Sequence, residues 1–263
     1  MLNLPSHTTS SFSVHVTTPP LSIFEFPPAP VPESLTPPIA DYTIARPFHI
    51  PSALYNDLLS VNYPITVALV YAVTVSIIDQ WNRQRENKPW ALSKTRVFYL
   101  FVVLHNIFLA VYSAWTCAGM IHAVRHTWPG LKGEHGLAGV ADAMCKMHGP
   151  RGLGNAATYN STTSAWGVTN QAIKLAGFNP DSTDVGRMWN EGLAYYGWLF
   201  YLSKFYEVVD TLVILAKGKN SSLLQTFHHA GAMMCVWAGI RYMSPPIWMF
   251  VFINSGLHAW MVR

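Results

Sequence analysis

Four uncharged runs constrain this chain more than any other feature. Segments 58–78, 220–240 and 242–262 are each 21 residues long, and 97–124 is 28; none holds a Lys, Arg, Asp or Glu. Each, as a helix, crosses about 30 Å of hydrocarbon. Charged residues make up only 11% of the chain, against about 25% in ordinary soluble domains. The sequence therefore predicts an all-α membrane protein of about five transmembrane helices.

The fifth span is 189–216. It is apolar and aromatic but carries Lys204, Glu207 and Asp210, and is expected to be one helix with a polar face. The expected helices are 58–78, 97–124, 189–216, 220–240 and 242–263. Residues 1–56 form a separate Pro-rich segment. The first 51 residues hold eleven prolines and a single basic residue, Arg46. Such a stretch cannot build a core and is expected to be disordered or extended. It lacks the basic start and apolar run of a signal peptide, so targeting falls to the first span.

The net charge is +4, and its basic residues sit in short links rather than in a nucleic-acid patch. The link 79–96 carries Arg83, Arg85, Lys88, Lys94 and Arg96; the link 217–219 carries Lys217 and Lys219. Both are expected to be cytosolic by the positive-inside rule. The loop 125–188 then lies on the luminal side, where its sequon at Asn160 is open to glycosylation. Cys117, Cys145 and Cys235 show no CxxC spacing, which argues against a disulfide framework or a zinc site.

Ionisable groups inside spans are costly and mark function. At 100° per residue, Lys204, Glu207, Asp210 and Thr211 share an arc of roughly 120°. Gln225, His228 and His229 share a face of the next helix, and Asn254, His258 and Met261 a face of the last. These groups lie roughly 7–20 Å inside the cytosolic surface at 1.5 Å per residue. One cavity can therefore hold all three faces, suited to a charged headgroup with an apolar tail. The plainer alternatives are a Lys204–Glu207 pair that only holds helices together, satisfied buried histidines, and helix–helix hydrogen bonds from Asn254 and His258.

These residues resemble the fatty-acid elongase family, the very-long-chain 3-oxoacyl-CoA synthases of the endoplasmic reticulum membrane. The family's K-x-x-E-x-x-D-T motif reads Lys204-Phe-Tyr-Glu207-Val-Val-Asp210-Thr211, and its histidine box reads Gln225-Thr-Phe-His228-His229. Its N-x-x-x-H-x-x-M motif reads Asn254-Ser-Gly-Leu-His258-Ala-Trp-Met261, and an earlier element runs from Leu104-His105-Asn106 through Ser113. Gln225 stands where most members have His, and Val262 where the family usually has Tyr. The loop 125–188 is longer than in many members. The family bundle has seven helices, so the resemblance implies two more and a basic tail past residue 263. The elongase-like domain, 57–263, is expected to be incomplete at that end.

The resemblance implies decarboxylative condensation of a long-chain acyl-CoA with malonyl-CoA to a 3-oxoacyl-CoA, without a cofactor or metal. It implies His228 as the nucleophile, forming an acyl-imidazole, and His258 as an assistant to the thioester or a proton. His229, Asn254 and Gln225 would orient rings and stabilise negative charge. Lys204 would meet a CoA phosphate or the malonyl carboxylate, or pair with Glu207; Asp210 would fix a histidine tautomer. The implied partners are membrane lipid and the ketoacyl-CoA reductase, dehydratase and enoyl reductase of the elongation cycle. No nucleic acid is expected, and a homodimer is left open.

Two other readings compete. One is a histidine-box di-iron desaturase, using His122-x-x-x-His126 with the box at 225–229; such a site needs about eight imidazoles, and a middle box is missing. The other is a non-catalytic, truncated elongase-like protein. A transporter is weaker still, since no internal repeat is visible.

Overall fold

The computed structural model describes residues 43–133, 136–147 and 186–260, with short pieces at 21, 25–26, 36–37, 158–160, 162–163 and 165–167. The chain divides into two units, Met1–Pro30 and Val31–Arg263, and the architecture below belongs to the second. Its elements run α1 Ser52–Leu58, α2 Asn62–Gln84, a 3-10 turn Ala91–Lys94, α3 Arg96–Thr127 and α4 Gly136–Cys145. A hairpin follows, β1 Thr158–Asn160 and β2 Ala165–Gly167, then a π turn Trp189–Leu193. The remaining helices are α5 Ala194–Tyr206, α6 Val208–Ala216, α7 Leu223–Arg241 and α8 Ile247–Trp260. The antiparallel hairpin sets Tyr159 opposite Trp166, inside the segment expected to be a plain loop.

Among the described residues, α2 with 23 residues and α3 with 32 are long and apolar enough to cross a membrane. Leu69, Val70, Val73 and Ile77 of α2 are exposed, as are Val97, Leu100, Leu104 and Val111 of α3. An apolar face of that extent has lipid for its solvent. The chain is an all-α membrane protein with one small hairpin.

Helix ends depart from the edges of the uncharged runs. α2 begins after the turn at Leu59–Val61 and continues past Asp79 to Gln84, because Asp79 is not left bare. Its Oδ1 accepts from the Ser221 N–H at 3.0 Å, just ahead of α7. Asn82 Nδ2 donates to Leu215 O at 2.9 Å, Trp90 Nε1 to Asn82 Oδ1 at 2.9 Å, and the Trp90 N–H to Ala216 O at 3.0 Å. The links 79–96 and 217–219 therefore meet at one end of the bundle. Gly218 closes α6 there: it has φ +75, with Gly218 N bonded to Leu215 O at 2.9 Å and Lys219 N to Ile214 O at 3.2 Å. This is the paired-bond helix stop that favours glycine.

The opposite end is tied by tyrosine and tryptophan. Tyr55 OH donates to Ala194 O at 3.1 Å, Trp198 Nε1 to Tyr55 O at 3.3 Å, and Trp237 Nε1 to Leu59 O at 2.8 Å. Arg46 donates to Glu191 O at 2.8 Å and Tyr196 OH to Ala45 O at 2.9 Å. The irregular backbone at 43–51 and 59–61, with the last turn of α1, leaves carbonyls without helical partners, and buried Tyr and Trp have donors to place. Packing thus begins before residue 57, since Tyr55 is fully buried. Residues before 43 lie mostly outside those described.

The span 189–216 opens on the π turn, where Gly192 leaves helical angles (φ 167, ψ −26), and is interrupted again at Glu207. No proline or glycine marks this second break. The Ser203 hydroxyl is shared between Phe200 O at 2.8 Å and Glu207 Oε1 at 3.2 Å. The Asp210 N–H bonds Glu207 O at 3.1 Å, a tightened turn. Back-bonding of serine onto the preceding turn bends helices. Glu207 keeps right-handed helical angles (φ −60, ψ −14) while the regular ladder is broken there, and one expected stripe becomes three separate sets of contacts.

Candidate active site

Lys204 anchors the first set. It is 2% exposed, and its Nζ donates to Glu207 Oε1 at 2.6 Å and to Asn254 Oδ1 at 2.9 Å. The ammonium also lies 4.1 Å from the centroid of the Phe200 ring. Two oxygens and an aromatic face replace its water. The helix-holding pair and the motif residue are thus the same group, and the bond to α8 extends it beyond a local ion pair.

The second set centres on Thr211, which is fully buried. Its Oγ1 lies 2.9 Å from Tyr71 OH of α2 and accepts from Gln225 Nε2 of α7 at 3.4 Å. Tyr71 also presents its ring edge-on to His229, with centroids 6.1 Å apart. Gln225 is held at the right turn because Ser222 caps α7, accepting the Gln225 N–H at 3.1 Å. His229 is buried, while His228 is exposed on the neighbouring arc, ring centroids 5.6 Å apart.

The third set contains Asp210. Its Oδ1 lies 2.7 Å from His105 Nε2, and His105 Nδ1 lies 3.0 Å from Tyr206 OH. The histidine that Asp210 orients is therefore His105 of α3. Neither imidazole of the 228–229 box has that role here. His258, half-buried on α8, follows Asn254 by one turn, and Lys204, Glu207, Asp210 and His228 are titratable neighbours acting on both His229 and His258. Met261 lies outside the described residues.

Three residues join the site that motif reading left without a role. Tyr71 falls on the buried stripe Tyr71, Val75, Asp79 and Asn82 of α2, a helical period visible in the sequence. His105 falls on the buried stripe His105, Leu109, Ser113 and Thr116 of α3. Tyr206 carries no such signal. Phe108, Leu109 and Tyr112 of α3 with Leu202, Ser203 and Tyr206 of α5 line a cleft of about 210 Å³ beside this set.

The other histidine pair is at the far end of α3. His122 and His126 lie against each other, centroids 3.9 Å apart, and His126 Nδ1 is 3.3 Å from Glu191 Oε2. They do not converge with His228, which follows the Asp79–Ser221 end of the bundle. His135 and His148, which could add imidazoles to a di-iron site, lie outside the described residues.

A bundle of apolar helices with acids, a lysine and imidazoles gathered at one end defines a membrane protein with a buried polar site. The chain belongs to the ELO (GNS1/SUR4) family, whose model matches residues 58–262. Among curated relatives, it is similar to fatty acid elongase A of Dictyostelium discoideum, 33% identical over 64 residues (24% of each chain). It is 25% identical over 96 residues to very long chain fatty acid elongase 3 of Homo sapiens (36% of each). It is 30% identical over 78 residues to fatty acid elongase 2 of Trypanosoma brucei brucei (30% of this chain, 29% of the relative). The matched stretches thus span between 24% and 36% of these relatives' lengths. No solved structure matches the chain.

Proposed function

We propose that this protein elongates fatty acyl chains by condensing a long-chain acyl-CoA with malonyl-CoA to a 3-oxoacyl-CoA. The observation that carries the reading is the joining of the three family motifs in space. Lys204 of the first reaches Asn254 of the third at 2.9 Å, and Thr211 of the first reaches Gln225 of the second at 3.4 Å.

His228 attacks the acyl thioester and holds the acyl group as an acyl-imidazole, releasing CoA. Malonyl decarboxylation then gives an enolate that takes the acyl group. His258 assists at the thioester, and His229 and Gln225 hold the box in register. Lys204 and Asn254 form one donor–acceptor unit beside the headgroup and stabilise developing charge. An acyl-imidazole is hydrolysed easily, and His228 is exposed on α7, so the hydrocarbon around the helix rather than the bundle interior keeps water from it.

The protein works as a multi-pass protein of the endoplasmic reticulum membrane, its basic links on the cytosolic side. It needs no cofactor or metal, and hands its product to the reductase, dehydratase and enoyl reductase of the same cycle. The test is acyl-chain profiling in a host lacking its own elongases. Longer chains should appear with the wild type and vanish with His228→Gln. Extended products made by the His228→Gln chain would overturn the nucleophile assignment.

A further inference from the structure

The two basic links are locked to each other where they meet. A Cβ at Gly218 would lie 2.9 Å from the Lys88 carbonyl carbon, so the chain at Lys88 passes directly beside Gly218. Lys217 and Lys219 flank that glycine, each with its Cα about 3.8 Å from the glycine's. Three lysines from two links therefore converge, and all three are exposed. The turn that brings Lys88 there is not a relaxed one. Glu86 and Asn87 both take left-handed angles, φ 56 and φ 57, a conformation that L-residues adopt at a cost.

Little on the protein answers this charge. The links 79–96 and 217–219 hold seven basic residues against two acids, Asp79 and Glu86. Asp79 is buried and accepts from the Ser221 N–H at 3.0 Å. Glu86 meets Lys88 at 2.7 Å, but both side chains are largely exposed, and such a pair is weak. Among the described residues, no acid lies within ion-pair distance of Lys217 or Lys219.

The surroundings set the depth of the patch. Trp81 and Trp90 stand edge-on, ring centroids 5.3 Å apart, and the Arg85 guanidinium lies 4.5 Å from the Trp81 ring. Tryptophans at the ends of spans mark the headgroup level of a membrane. Leu223 and Leu224, in the first turn of α7, are exposed just after Lys219. Charge at the headgroup level with hydrocarbon surface beside it is the layering of a phospholipid. A nucleic acid or an acidic protein would meet the lysines but leave that first turn bare.

We propose that Lys88, Lys217 and Lys219 form a binding site for the phosphate headgroup of an acidic phospholipid, whose acyl chains lie against the first turn of α7. The lipid bridges both links. It thereby ties the end of α2 to the start of α7, the helix that carries Gln225, His228 and His229. The site stands apart from the motif residues and does not depend on the elongase reading.

The test uses the full chain in phosphatidylcholine vesicles with a trace of spin-labelled phosphatidylserine or spin-labelled phosphatidylcholine. The immobilised fraction of each label gives their relative association with the protein, without any substrate present. The wild type should prefer phosphatidylserine by about fivefold, the scale of one lysine at a charged membrane surface. Most of that preference should vanish at about 1 M salt, where the Debye length is about 3 Å. Lys88→Gln with Lys217→Gln and Lys219→Gln should bring the ratio close to one. Arg125→Gln with Lys132→Gln, at the other end of α3, should leave it unchanged. A wild-type ratio near one would sink the proposal, even where the variants fail to fold. So would a full preference in the triple variant, or an equal loss in the Arg125 and Lys132 variant. Release of the labelled phosphatidylserine by added CoA would also overturn it, assigning the lysines to a soluble nucleotide phosphate instead.

Discussion

Lys204 donates to Asn254 at 2.9 Å across fifty residues of sequence. That bond joins α5 to α8, and therefore the first motif to the third. It also explains why a lysine is tolerated so deep in an apolar bundle: Glu207 offsets its charge and Asn254 takes a second of its three donor positions.

Removing one partner of this pair should cost more than removing both. Lys204→Met leaves Glu207 buried and uncompensated, at about 3–5 kcal/mol. Lys204→Met with Glu207→Leu should recover most of that loss, because no charge remains to be desolvated. Thermal unfolding of the two variants in one detergent gives the comparison. A double variant less stable than the single would show that packing, rather than charge, holds this junction.

The two adjacent histidines should separate function from stability. His228 is exposed, so His228→Gln should leave stability within about 0.5 kcal/mol of the wild type while abolishing chain extension. His229 is buried against the Tyr71 ring, so His229→Ala should cost about 1–3 kcal/mol and reduce activity as well. Melting temperatures beside acyl-chain profiles distinguish the two positions.

Residue types and spacings made the spans and motif residues legible, because hydrophobic length and helical period are local properties. Partners were less legible. That Asp210 meets His105 rather than His228 depends on how α3 lies against α6, and no pattern within either helix states it. The interruption at Glu207 was hidden for a similar reason. Proline and glycine advertise a break, but here a serine back-bond and a carboxylate make it, and both residue types also occur in unbroken helices. Span edges misled because a charge was taken to end a helix; Asp79 continues inside α2, where the Ser221 N–H satisfies it.

The close of α6 should depend on glycine. Gly218 has φ +75, and a Cβ there would collide with the Asn87 carbonyl and come within 2.9 Å of Pro89 N. Left-handed backbone alone costs an L-residue about 1–2 kcal/mol, and the collision with rigid backbone adds to it. Gly218→Val should therefore lower the melting temperature and loosen the Trp90–Ala216 contact. Faster amide exchange at Trp90 than at the α7 amides would report that loosening.

Gly119 should behave differently, because its neighbour is a side chain. A Cβ at this position would fall within the Tyr196 ring, so α3 and α5 approach as they do only because the glycine has none. Gly119→Ala should cost about 1–3 kcal/mol by overpacking. Tyr196→Ala should cost about 3–5 kcal/mol, the range for truncating a large buried aromatic, and it also loses the hydroxyl bond to Ala45 O at 2.9 Å. In the double variant the new methyl occupies part of the space the ring has left. Its destabilisation should fall below the sum of the singles by about 0.5–3 kcal/mol, the range for residues in contact. Strict additivity in that cycle would mean that the two helices do not meet at this pair.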